Sequence, residues 1–247
     1  MNKIIISFTI TFFAGISTIL GIFPTYINQK YKDKIINLSL SFSAGVMITI
    51  SILSLIPESK NYLSQKLNFP VILIILIFVM IGANISHFID QKSIKTNDNL
   101  YKIGIVSLIT LIIHNIPEGI TTFITTSNNI KLGTQLSIAI ALHNIPEGIA
   151  IAIPIYFSTK NRKKALLYTV ISGFSELFGA IISYIFLSKY INNYILSFIL
   201  GITAGIMLYV SICELIPNSL LYKDIKKTSI GILLGSLIII ICLLILH

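Results

Sequence analysis

Long apolar runs alternate with short polar loops along this chain, and the alternation repeats eight times. Each run holds roughly 20 residues, the length an α-helix needs to cross a ~30 Å hydrocarbon layer. The pattern predicts helices over about 4–23, 35–57, 70–89, 102–126, 132–157, 165–187, 194–217 and 228–246. Lys3 ahead of the first run gives it the look of a signal peptide. Its stronger basic flank follows it, however, at Lys30, Lys32 and Lys34, and no A-x-A-like cleavage site is visible. It therefore counts as helix one. The Ser127-Asn128-Asn129 turn is so short that helices four and five must be antiparallel neighbours.

Composition agrees with a membrane protein. Of 247 residues, 55% are hydrophobic and 11% charged, and the mean hydropathy is +0.90, which excludes a soluble domain. The net charge of +9 does not mark a nucleic-acid binder, because the basic residues sit in loops rather than on one folded face. They are topology signals. Lys3, Lys60, Lys66, Lys131 and Lys189 fall on the side of the termini. The other side holds Lys30, Lys32, Lys34, Lys92, Lys95, Lys102, Lys160, Arg162, Lys163, Lys164, Lys223, Lys226 and Lys227. Positive-inside bias predicts both termini outside the cytoplasm. Cys213 and Cys242 fall within spans and read as packing residues with no disulfide role.

An internal repeat organises the spans. Ala44-Gly45-Val46-Met47 through Ser51-Ile52 to Leu55-Ile56-Pro57 aligns without gaps with Ala204-Gly205-Ile206-Met207 through Ser211-Ile212 to Leu215-Ile216-Pro217. Helix two thus matches helix seven and runs the opposite way. Helices four and five form a second such pair, because they share one heptapeptide. The expected fold is all-α and polytopic, with eight transmembrane helices in a 3+2+3 arrangement with inverted repeats and both termini extracytoplasmic. One domain covers 1–247, divided into helices one to three (1–90), four and five (102–157) and six to eight (165–247). Inverted repeats with a site at their interface are a transporter pattern.

The shared heptapeptides are His114-Asn115-Ile116-Pro117-Glu118-Gly119-Ile120 and His143-Asn144-Ile145-Pro146-Glu147-Gly148-Ile149. In each, His and Glu are separated by about 40° around the helix axis, and Asn by about 100° from His. Each motif therefore offers a nitrogen, an amide oxygen and a carboxylate on one arc. The proline removes a backbone donor and crowds the carbonyl of Ile113 or Leu142, which predicts a kink. His114 follows Lys102, and His143 follows Lys131, by about 18 Å of rise, so the motifs meet near mid-bilayer, with Glu176 of helix six at a similar depth.

Ionisable groups so deep are costly and mark an ion path. Nitrogen and carboxylate donors without thiolate suit zinc and other first-row divalent ions. Glu118 and Glu147 cancel one divalent charge, and the excess charge on Glu176 calls for a proton or a second cation. Ser107, Thr121 and Thr125 extend a polar stripe along helix four in both directions, as a path lining or as hydroxyls bonded to their own helix.

These residues resemble the ZIP (Zrt/Irt-like) metal transporters, and within them the bacterial ZupT-like branch. The likeness rests on the doubled His-Asn-x-Pro-Glu-Gly motif, on Ser172-Gly173 to Glu176 to Gly179-Ala180, and on Ser211 to Glu214-Leu215-Ile216-Pro217. It implies import of zinc or a related divalent ion (Fe2+, Mn2+, Co2+, Cd2+) as cargo rather than cofactor, by alternating access, in a multi-pass protein of the cell membrane. It further implies a binuclear centre. His114, Glu118, His143 and Glu147 would make one position, and Asn115, Asn144 and Glu176 would join the bridging glutamates at the other. Glu214 is the implied release-side ligand, and a homodimer is a common state.

Two features depart from that pattern. The loop after helix three is short and holds no histidine, so His87 and Asp90 stand as an interfacial pair or a small metal substitute. The helix-two position matching Glu214 is Ser54, and the acid lies instead at Glu58, an ingress-side candidate. The rival readings are an intramembrane metalloenzyme, either protease or di-metal oxygenase, and a metal-permeable channel. Against the protease stands the absence of H-E-x-x-H. The partners expected are therefore divalent ions and the bilayer, with no nucleic acid.

Overall fold

The computed structural model describes residues 3–64, 70–92, 98–187 and 192–246. Among them, eight helices are long and apolar enough to cross a membrane: Lys3–Tyr26, Lys32–Ser64, Val71–Lys92, Asn99–Asn128, Ile130–Thr159, Arg162–Phe186, Asn193–Leu220 and Ile225–Ile245. They are helices one to eight below. The expected spans are all present and run longer at most ends. Lys66, Lys95, Lys189 and His247 lie outside the described residues.

Short polar side chains start the helices. Asp98, Asn129, Asn161 and Asn192 each accept from a backbone amide of the following turn, at Tyr101, Lys131, Lys164 and Ile195, satisfying donors that a helix start leaves open. Neither motif proline ends its helix. Asn99–Asn128 and Ile130–Thr159 both remain α-helical through Pro117 and Pro146, and the latter through Pro154 as well. Each proline costs a ladder bond without stopping the winding, because the surrounding helices hold the backbone.

Three departures from regular α-geometry shape the interior. Helix one tightens into a 3₁₀ winding over Ser17–Tyr26, where the hydroxyls of Ser17, Thr18 and Thr25 donate to carbonyls three residues back. Helices two and seven each carry a π-turn, at Ser51–Leu55 and Val210–Leu215. There the Ile56 and Ile216 amides bond the Ser51 and Ser211 carbonyls, so the aligned segments share the same irregularity at the same place.

Close glycine contacts join the helices. Exchanging helix one with six, two with seven, three with eight and four with five carries one contact onto another. A Cβ on Gly45 would meet the Ile232 carbonyl, and one on Gly205 the carbonyl of Val79. Gly235 faces the Phe42 carbonyl, and Gly82 that of Ile202. Gly148 abuts the Thr18 carbonyl, Gly119 that of Glu176, and Gly15 and Gly173 abut each other's. Helices one and six run antiparallel, with Phe12 against Phe174 and Phe8 against Tyr184.

Large apolar side chains such as Phe13, Leu76, Phe178 and Leu244 are exposed around the bundle, as a lipid-facing surface requires. The packing role expected of the cysteines does not hold. Cys213 is exposed, and Cys242 lines a cavity described below.

Candidate metal centre

Helices four and five bring the two motifs together in a crossed arrangement. His114 Nε2 lies 3.1 Å from Glu147 Oε1 and 3.4 Å from Glu118 Oε1, while His143 Nε2 lies 2.9 Å from Glu118 Oε1. Each imidazole thus reaches the glutamate of the other helix. His114, His143 and Glu147 offer one ligand atom apiece, all within 4.8 Å of one another. The four side chains are buried, with His114 and Glu147 wholly inaccessible.

The asparagines are held by neighbouring helices. Asn115 Nδ2 donates to the Ser172 carbonyl at 3.0 Å on helix six, and Asn144 Nδ2 donates to the Ala14 carbonyl at 2.9 Å on helix one. These bonds are exchange partners, and both leave the amide oxygen unspent. Asn144 also donates to Glu176 Oε1. Asn115 Oδ1, Asn144 Oδ1, Glu118 Oε2, Glu147 Oε2 and Glu176 Oε2 are buried acceptors without a hydrogen-bond partner. Five unspent acceptors beside two imidazoles are a costly arrangement in a dry core, and one that a cation would complete.

The glycines after each motif glutamate make this approach feasible. Gly119 lets Glu176's backbone come against helix four, and Gly148 does the same for Thr18 and Gly21 of helix one. Helix six is drawn in by Gly173 and Gly179, as the small residues around Glu176 predict.

The sequence has counterparts in known proteins. The family model for ZIP zinc transporters matches residues 87–243. The chain is 34% identical to the zinc transporter ZupT of Chlorobaculum parvum, over 96% of each chain. It is 33% identical to that of Oceanobacillus iheyensis over the full length of both. For Clostridium perfringens the figure is 31%, over 99% of this chain and 97% of the relative. The chain belongs to the ZIP family.

Around the ZIP motifs, a cavity of about 50 Å³ leads from Glu118 and His143 toward the end of the bundle that carries the chain termini. Ser54, Glu58, Thr121 and Thr203 are its other polar walls, and Cys242 and Leu243 line it from helix eight. Glu58 and Thr121 both line this cavity. Thr121 also donates to the Pro117 carbonyl of its own helix at 3.0 Å. Thr125 is half-buried beyond the residues that line this cavity.

Ser107 and Glu214 lie toward the opposite end. Ser107 is wholly buried, with no hydrogen-bond partner for its hydroxyl. Asp90 and His87 both bond the Tyr209 hydroxyl, and Asp90 forms an ion pair with Lys102 at 2.6 Å. Nothing in the sequence reading linked Lys102 to Asp90. The only available signal was that both flank the same short loop.

Proposed function

We propose that this ZIP protein imports zinc into the cytoplasm through the crossed His/Glu centre. It is a multi-pass membrane transporter and not an enzyme. Support comes first from one observation, that His114 and His143 each face the glutamate of the opposing helix in a buried cluster. The relatives named above are called zinc transporters, and the donor set of nitrogen and oxygen suits that ion. The same donors accept Fe2+, Mn2+, Co2+ and Cd2+, whose ranking is set by geometry and supply.

His114, Glu118, His143 and Glu147 hold one ion in this reading. Asn115, Asn144 and Glu176 join the glutamates around a second, for which the unspent oxygens are the support. The cavity past Glu58 is the ingress route, and Glu214 stands at release. The protein is one domain in the cell membrane, with its lysine-poor end and both termini outside. The contact-by-contact exchange of helices supports alternating access between two related conformations. A homodimer is the assembly the family suggests.

Equilibrium zinc binding to the purified protein tests the centre. Two ions per chain are expected, and Glu176→Gln should reduce this to one, with the position at His114 and His143 retained. One ion in both proteins would remove the second position from this account.

A further inference from the structure

The exchange of helices can be applied to the cavity itself. Its walls include Ser54, Leu136, Ile239 and Leu243. The alignment of helices two and seven turns Ser54 into Glu214, and the heptapeptides turn Leu136 into Ser107. The glycine contacts pair Gly235 with Gly82 and Ile232 with Val79, which turns Ile239 into Ser86 and Leu243 into Asp90. The result is a second set of walls at the opposite end, and a far more polar one.

That set is shut. Ser86 and Ser107 are wholly inaccessible, and Glu214 is 7% exposed. Ser86 Oγ and Ser107 Oγ nevertheless have no hydrogen-bond partner. Buried hydroxyls left unspent on two different helices gain partners if water or a cation reaches them in another conformation.

Lys102 closes the set. Its ammonium lies 2.6 Å from Asp90 Oδ1, joining helix four to helix three. Glu214 of helix seven neighbours the Asp90 carboxyl, and Tyr209 donates to Asp90 at 3.3 Å. The heptapeptide alignment makes Lys131 the counterpart of Lys102 at the other end. There the positions matching Asp90 and Glu214 are Leu243 and Ser54, which carry no charge. Of these matched positions, only those at the Lys102 end set a lysine against carboxylates.

We propose that Lys102 is a one-sided latch. By holding Asp90 beside Glu214, its ammonium keeps closed a divalent-cation path lined by Ser86, Ser107 and Glu214. An ion leaving the centre opens that path by taking the carboxylates from Lys102. The inference rests on the transport reading above and deepens it, since it names the residue that favours the conformation open toward Glu58.

Thiol labelling in nanodiscs, where both faces are reachable, tests the latch. The background is Cys213→Ser with Cys242→Ser, and Ser107→Cys supplies the reporter for a charged maleimide. Lys102→Gln should raise the labelling rate about two- to fivefold, the upper range for loss of one partly exposed ion pair. Lys131→Gln should leave it unchanged, and the swap Lys102→Asp with Asp90→Lys should restore slow labelling. An unchanged rate in Lys102→Gln, or an equal rise in Lys131→Gln, overturns the latch. Labelling is read without flux. A protein that labels as expected but moves no zinc refutes the transport reading alone, whereas saturable uptake with labelling indifferent to Lys102 refutes the latch alone.

Discussion

His143 Nε2 sits 2.9 Å from Glu118 Oε1, a carboxylate from the other copy of its own motif. The crossing makes each motif incomplete alone. A ligand lost from either helix opens both halves of the centre, so His143→Ala should lower zinc affinity at least as far as His114→Ala does. Losses above about tenfold are expected for both, since even outer-shell partners of a metal are worth that much. Equilibrium dialysis of the two variants provides the comparison.

Gly119→Ala should destabilise the bundle. A Cβ there would run into the Glu176 carbonyl, and backbone on both sides leaves no flexible atom to give way. Overpacking of this kind costs about 1–3 kcal/mol. Thermal unfolding in detergent should show a lower midpoint for Gly119→Ala and for its exchange partner Gly148→Ala.

Cys242 reports on the cavity proposed as the ingress route. It lines the same space as Glu58 and Thr121, and that space holds only about 50 Å³. A thiol reagent bulky enough to fill it should therefore block zinc uptake in the native protein and spare Cys242→Ser. Uptake that survives full modification of Cys242 would place the route elsewhere.

Asp98 gives a pH-dependent contribution outside the spans. The Ser158 hydroxyl, donated at 2.6 Å, and the amides of Tyr101 and Leu100 hold its carboxyl below the ordinary carboxylate value. A depressed folded value means that this stabilisation is complete above the unfolded pKa and is lost as pH falls through the folded one. Asp98→Ala should therefore lower the unfolding midpoint at neutral pH by loss of a helix cap worth about 1 kcal/mol. The gap between variant and native protein should narrow in acid, which paired melts at neutral and acidic pH would show.

Much of this was legible from residue order. Eight apolar runs set the spans, and the duplicated heptapeptide placed every buried His and the two crossed glutamates. Helix two and helix seven could be matched because the Ala-Gly-x-Met start survives in both. Helices one and six, and three and eight, share no such words. Their correspondence is carried by backbone approach at Gly15 and Gly173, or at Gly82 and Gly235, where the requirement is only for a missing Cβ. The 3₁₀ winding after Ile16 was equally hidden, since hydroxyls at Ser17 and Thr18 suit an α-helix as well. The Lys102 contact depends on how helix four meets helix three, which no local pattern states.

Zinc uptake into proteoliposomes, followed with an internal fluorescent indicator, tests the central claim most directly. The native protein should show saturable uptake, abolished in both His143→Ala and Glu147→Ala, with uptake and equilibrium binding lost together. Tight zinc binding without flux, or uptake that persists in both variants, would contradict a carrier built on the paired motif.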